Sequence, residues 1–136
     1  MEWHGNLAEG GGRVSLETGG IPAFEVSWPA RSGEPGGKTS PEELISAAIG
    51  SCFAMKLSAD LGRAGTPPER LSVSATTTLD LDQGAISRIR LRVRGHVPGA
   101  DESAFTNAAE GAKSGCPVSQ ALAGVASIEL DAHLEA

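Results

Sequence analysis

Residues 39–57 read Thr-Ser-Pro-Glu-Glu-Leu-Ile-Ser-Ala-Ala-Ile-Gly-Ser-Cys-Phe-Ala-Met-Lys-Leu. This stretch decides the fold. Ser40 suits an N-cap and Pro41 the first helical position, and Glu43 stands where a capping box requires it. The carboxylates of Glu42 and Glu43 favour the positive end of the helix dipole. From Leu44 to Leu57 only Ser46, Ser51 and Lys56 interrupt small and apolar residues. A helix apolar all round is a buried helix. One thin sheet cannot enclose it in a chain of 136 residues, so the pattern points to a central buried helix whose cover comes partly from a second subunit. Asp60, Gly62, Arg63 and Gly65 mark its end, and Pro67-Pro68 prevents its continuation.

Upstream, the first third reads as a β-meander. Trp3 to Leu7 is a short strand candidate, followed by a turn at Gly10-Gly11-Gly12. Val14 and Leu16 alternate with polar residues, and Phe24, Val26 and Trp28 form a third strand that Pro29 ends. Arg31 to Lys38 reads as a Gly- and Pro-rich loop. Downstream, Val73, Ala75, Thr77, Leu79 and Leu81 share one face of a strand, and Asp82-Gln83-Gly84 is a hairpin turn. On the return strand Ile89, Leu91 and Val93 alternate with Arg88, Arg90, Arg92 and Arg94. Asp101 to Lys113 is an amphipathic helix with Gly115 as its C-terminal cap. A short helical turn through Leu122 follows, and Ile128 to Leu134 is a last strand. The order βββ-α-ββ-α-β is α+β with mostly antiparallel strands, not a doubly wound sheet.

The size fits one domain over residues 1–136, and 40% hydrophobic residues provide a packed core. Eleven Lys and Arg against 17 Asp and Glu give a net charge of −6, which argues against nucleic-acid binding. The arginine row then reads as a solvated outer sheet face, with Asp80 and Asp82 as candidate partners. No run of 18 apolar residues and no basic-then-apolar start is present, so neither a membrane span nor a secretory signal is expected, and the cytoplasm is the expected compartment. His4, His96 and His133 are scattered without ligand spacing, so no metal is expected. The glycines carry no phosphate-loop pattern, and no cofactor is expected.

Chemistry therefore rests on the two cysteines. Cys52 lies within the apolar stretch, just after Gly50. A helix break at Gly50 would leave Cys52 near a new N-terminus, where a thiol is acidified; an unbroken helix would bury it and raise its pKa. Cys116 stands between helix-ending Gly115 and helix-starting Pro117, a junction that suggests a semi-exposed thiol. A second thiol is what a redox nucleophile needs to resolve a sulfenic acid, although two unrelated thiols would look the same in a count. An acyl transferase would need a positioned His, and none presents itself. The alternative to an enzyme is a dimeric binding protein for a small apolar ligand with incidental thiols.

The run from Thr39-Ser40-Pro41-Glu42-Glu43-Leu44-Ile45 through Cys52-Phe53-Ala54-Met55 resembles the first signature of the OsmC/Ohr family. Gly115-Cys116-Pro117-Val118-Ser119-Gln120-Ala121-Leu122 resembles the second. Cys-Pro-Val-Ser is similar to the OsmC branch rather than the Ohr branch, which typically has Cys-Pro-Tyr-Ser. The resemblance implies an intertwined homodimer and a thiol peroxidase acting on organic hydroperoxides in stress defence. It implies Cys52 as the attacking thiol, Cys116 as the resolving thiol, Glu42 as the family's Glu and Arg31 as its Arg, with Arg13 the fallback. It also implies an external dithiol as reductant, of lipoyl or another small type. Many relatives have His where this chain has Ile49.

Overall fold

The computed structural model describes all residues from Met1 to Ala136 and contains two three-stranded sheets. The elements are β1 (Glu2–His4), β2 (Gly11–Leu16), β3 (Ile21–Val26), α1 (Trp28–Ser32), α2 (Pro41–Arg63), β4 (Arg70–Asp80), β5 (Ala85–His96), α3 (Glu102–Gly115), α4 (Pro117–Ala121) and β6 (Ser127–Leu134). This is the expected α+β order with one unanticipated short helix, α1; α4 is the helical turn foreseen after Cys116. The chain divides into two compact units, Met1–Leu44 and Ile45–Ala136.

In the first unit β1, β2 and β3 pair antiparallel in sequence order. Gly11 and Gly12 lie in β2 rather than in the expected turn. At Gly12 a Cβ would come within 2.5 Å of Met1 Cε and 2.8 Å of the Glu2 carbonyl. Only glycine lets β1 lie so close. The strand expected to reach Trp28 stops at Val26. There the Ser27 hydroxyl accepts the Ala30 N–H at 3.1 Å and caps α1. Pro29 sits in the first turn, where its missing N–H costs nothing, so it begins a helix instead of ending a strand. Arg31 consequently lies on a helix, not in a loop. The chain then returns to β3, with the Thr39 N–H donating to the Glu25 carbonyl at 2.9 Å. At the start of α2 the Ser40 hydroxyl accepts the Glu43 N–H at 3.2 Å, the forward half of the capping box. The Glu43 carboxylate is engaged by the Thr39 hydroxyl at 2.5 Å.

In the second unit the sheet order is β4-β5-β6. β4 and β5 form an antiparallel hairpin whose turn is held by Asp80, its Oδ1 accepting the Asp82 and Gln83 N–H groups at 3.0 Å each. β6 runs parallel to β5 after the crossover through α3 and α4. Ile89, Leu91 and Val93 on the inner face are fully buried against Ile49, Phe53, Leu57 and Leu61 of α2 and Phe105, Ala109 and Ala112 of α3. Three of the four outer arginines find their carboxylates on β6, not at Asp80 and Asp82. Arg90 meets Glu129 at 3.1 Å, and Arg92 and Arg94 meet Asp131 at 3.2 and 2.9 Å. The parallel register sets Arg90 opposite Glu129 and Arg92 opposite Asp131, with Arg94 reaching Asp131 from the next outward position, while Asp80 is committed to the turn.

α2 is unbroken at Gly50. A Cβ there would stand 3.7 Å from Ala75 Cβ and 3.9 Å from Val73 Cγ1, ordinary contact distances. The helix buries one stripe; Ala47, Ala48, Ser51, Met55, Ser58 and Ala59 are exposed, Met55 to 72%. Enclosure on every side is thus not supplied by a single chain. With a mean hydropathy of 1.4 over its apolar window, α2 is also long and apolar enough to cross a membrane, although its buried stripe packs on a sheet.

One close contact tests this packing. A Cβ at Gly95 on β5 would fall 2.4 Å from Phe105 Cε2 and 2.6 Å from its Cζ. Gly95→Ala should destabilise the fold by about 1–3 kcal/mol, as overpacking does. Denaturant titration checks this, and Phe105→Leu in the same chain should recover part of the loss.

Candidate active site

The residues singled out from the sequence form two side-chain pairs. The first is Cys52 with Cys116. Cys52 is partly exposed and Cys116 fully buried, both as free thiols. The semi-exposed position expected for Cys116 is not found. Its N–H donates to the Ala112 carbonyl and its own carbonyl accepts the Gln120 N–H, each at 3.0 Å. The junction therefore continues both helices and turns the side chain inward. There it meets Cys52, which the unbroken α2 presents at the edge of its buried stripe.

The two thiols act on each other's acidity and split it. Cys52 is pushed above the ordinary thiol value, first by Cys116 and then by burial, with the Val118 N–H acting the other way. Burial also pushes Cys116 up, but donors from Cys52, Ser119 and Val118 outweigh it and leave that thiol below the ordinary value. The pair thus gives up its first proton easily and holds its second. An acidified thiol is the requirement for redox reactivity near neutral pH.

The second pair is Arg31 with Glu42. Arg31 Nε donates to both carboxylate oxygens of Glu42, at 3.0 and 3.2 Å, and Nη2 donates to Oε1 at 2.7 Å. Glu42 is only 7% exposed. A buried carboxylate is costly without such a partner. The bond to Glu42 raises the Arg31 pKa further, so the guanidinium is always charged. The Trp28 ring lies 5.9 Å from Arg31 Cζ, within cation–π range. Nη1 makes no hydrogen bond within the chain and remains a free donor. Arg13 instead registers opposite Glu2 and Glu25 in the first sheet.

The sequence reading missed Ser119, whose buried hydroxyl lies beside Cys116 without a hydrogen-bond partner of ordinary geometry. Its spacing from Cys116 across a helical turn was the available signal. His96 pairs with Glu69 at 3.3 Å, and His133 lies between Glu102 and Asp131 at 3.3 and 3.2 Å.

The mutual effect of the thiols predicts a titration signature. Thiolate absorbance of the wild-type chain should rise in two steps, one below and one above the ordinary thiol pKa. Cys52→Ser and Cys116→Ser should each show a single step. A single wild-type step accounting for both thiols would contradict the pairing.

The family model described as OsmC-like protein matches residues 33–131. Peroxiredoxin OsmC of Escherichia coli (strain K12) is 43% identical over 136 residues, covering 98% of this chain and 92% of that protein. The fold is similar to a crystal structure of an organic hydroperoxide resistance protein OsmC from Legionella pneumophila, with a TM-score of 0.69, 19% identity and coverage of 99% of this chain and 94% of the other. It is also similar to an organic hydroperoxide resistance protein from Elizabethkingia anophelis, with a TM-score of 0.70, 20% identity and coverage of 92% and 94%. With the family model spanning most of the chain and the first relative matching nearly all of it, this protein belongs to the OsmC family.

Proposed function

We propose that this protein is a cysteine-based peroxidase that reduces organic hydroperoxides to alcohols in oxidative and osmotic stress defence. The observation that carries this reading is the contact between an accessible thiol, Cys52, and a buried one, Cys116, in a chain 43% identical to a protein named a peroxiredoxin.

The difference in accessibility supports the roles that the family resemblance implies. A hydroperoxide reaches Cys52, whose proton passes to the Cys116 thiolate of the singly ionised pair, and the Cys52 thiolate so formed attacks the distal oxygen and breaks the O–O bond. The alkoxide leaves as an alcohol after taking a proton, and Cys52 becomes a sulfenic acid. The Cys116 thiolate then attacks the Cys52 sulfur, hydroxide leaves as water, and a Cys52–Cys116 disulfide forms. By the family resemblance Arg31, held by Glu42, is the cation for the charge that develops on oxygen or sulfur. An external dithiol, of lipoyl or similar type, reduces the disulfide. Met55, exposed and three residues after Cys52, favours an alkyl group over hydrogen peroxide.

The reading extends to the assembly. Residues 1–136 act as a single OsmC-like domain that forms an intertwined homodimer in the cytoplasm, without nucleic acid or membrane as partner. Support comes from the exposed small and apolar side of α2, where an open groove of about 560 Å³ runs between Met55, Ala59 and Leu71. An exposed apolar face of this kind is what a partner copy covers.

Variants test the assignment. Cys52→Ser should abolish turnover, and Cys116→Ser should leave one stoichiometric reduction of an alkyl hydroperoxide. Arg31→Met should slow Cys52 oxidation by roughly tenfold or more, the effect of losing a cation worth about one pKa unit and a donor to the leaving oxygen. Arg13→Met should leave the rate unchanged. Sustained turnover by Cys52→Ser would overturn the reading. In the same preparations sedimentation should give a two-chain particle; a well-folded 13.8 kDa monomer would exclude the dimer.

A further inference from the structure

Ser119 stands in the only turn of α4, three residues after Cys116. It is 6% exposed, and its Oγ makes no hydrogen bond of ordinary geometry. Burying a hydroxyl without a partner is costly, and an alanine would avoid the cost. Cys116 is the N-cap residue of α4 and its side chain makes no capping hydrogen bond, so its fully buried sulfur, one helical turn before Ser119, is the polar group that shares the buried space with this hydroxyl. A neutral thiol is a weak acceptor and a thiolate a strong one. The missing bond is therefore the one that forms when Cys116 loses its proton.

We propose that the Ser119 hydroxyl is a catalytic hydrogen-bond donor held for the Cys116 thiolate, and that it makes Cys116 the leaving sulfur when an external dithiol opens the Cys52–Cys116 disulfide. The inference rests on the peroxidase reading above and deepens it. Two steps use the bond. In resolution, the Cys116 thiolate attacks the Cys52 sulfenic sulfur, an S–S bond forms, the S–O bond breaks, and hydroxide leaves and is protonated to water. In reduction, one thiolate of the dithiol attacks the accessible Cys52 sulfur. The S–S electron pair departs on Cys116, where Ser119 receives it. The second thiol of the reductant then displaces Cys52 and closes a cyclic disulfide, so two electrons pass from reductant to protein. A stabilised thiolate is the better leaving group, which directs attack to Cys52.

The test is Ser119→Ala, with dithiothreitol as the dithiol probe and an alkyl hydroperoxide as oxidant. Losing a hydrogen bond to a thiolate worth about one pKa unit cuts the Cys116 thiolate fraction roughly tenfold below its pKa. The more basic thiolate is intrinsically about threefold more nucleophilic. Disulfide formation should therefore slow about threefold near neutral pH and become about threefold faster at alkaline pH, so that the two pH profiles cross. Reduction by dithiothreitol should be slower at every pH. Ser119→Thr, which keeps the hydroxyl, should restore the crossing profile towards wild type. Because the hydroxyl is unpaired in the resting protein, Ser119→Ala should melt no lower than wild type.

Parallel, non-crossing profiles would overturn the proposal, as would a lower melting temperature for Ser119→Ala, which would show a structural bond. Failure of the peroxidase reading itself looks different, since the wild-type chain would then form no Cys52 sulfenic acid at all.

Discussion

The thiol pair exists because α2 runs without interruption from Pro41 to Arg63 over the inner face of the second sheet. Ile49, Phe53, Leu57 and Leu61 form the stripe that packs on Ile89, Leu91 and Val93, and this stripe fixes the rotation of the helix. With the rotation fixed, Cys52 can only stand at the edge of the buried side. It is there half in the core, touching Cys116, and half accessible. Turning the helix one way would bury the thiol beyond reach of a substrate; turning it the other way would part it from Cys116. α3 supplies the matching constraint. Phe105 fills the notch left by Gly95, which anchors α3 to β5 and so places its C-terminal residue, followed directly by Cys116. Both sulfurs are thus positioned by apolar packing rather than by any bond between them.

The charged groups are arranged to suit this. Glu42, nearly enclosed, is paired with Arg31, and on the outer face of the second sheet Arg90, Arg92 and Arg94 are paired with Glu129 and Asp131. The arginine ladder is a feature of sheet pairing, and its exposed ion pairs contribute modestly to stability. The Arg31–Glu42 pair differs because its carboxylate is nearly enclosed and its guanidinium keeps one free donor. At the thiols the same logic operates with neutral donors. The sulfurs are surrounded by an S–H, by backbone N–H groups and by the Ser119 hydroxyl, all of which favour a single thiolate.

What the sequence made legible was local or periodic. The start of α2 was readable because Ser40, Pro41 and Glu43 act within one turn, and the β4–β5 hairpin because its alternation is regular. The two signature runs were readable as a family resemblance. What escaped depends on partners far along the chain. Cys116 looked like an exposed junction because nothing near it in sequence says that α3 and α4 share its backbone bonds and face it inward. The partners of Arg90, Arg92 and Arg94 lie on a parallel strand set by a crossover, so neighbouring Asp80 and Asp82 were the natural but mistaken choice. Pro29 was ambiguous in kind, since a proline both stops strands and starts helices, and only the Ser27 cap decides between them. The continuity of α2 through Gly50 was open for the same reason. Helix propensity disfavours glycine there, and packing beside Val73 and Ala75 overrides it.

The central claim is that Cys52 and Cys116 form one redox unit within a single chain. Peptide mapping by mass spectrometry, after adding one equivalent of an alkyl hydroperoxide to the reduced protein, tests it directly. The account predicts a Cys52–Cys116 bond within one chain and no other oxidised product. Disulfides between chains, or Cys52 carried on to the sulfinic acid while Cys116 stays a free thiol, would contradict it.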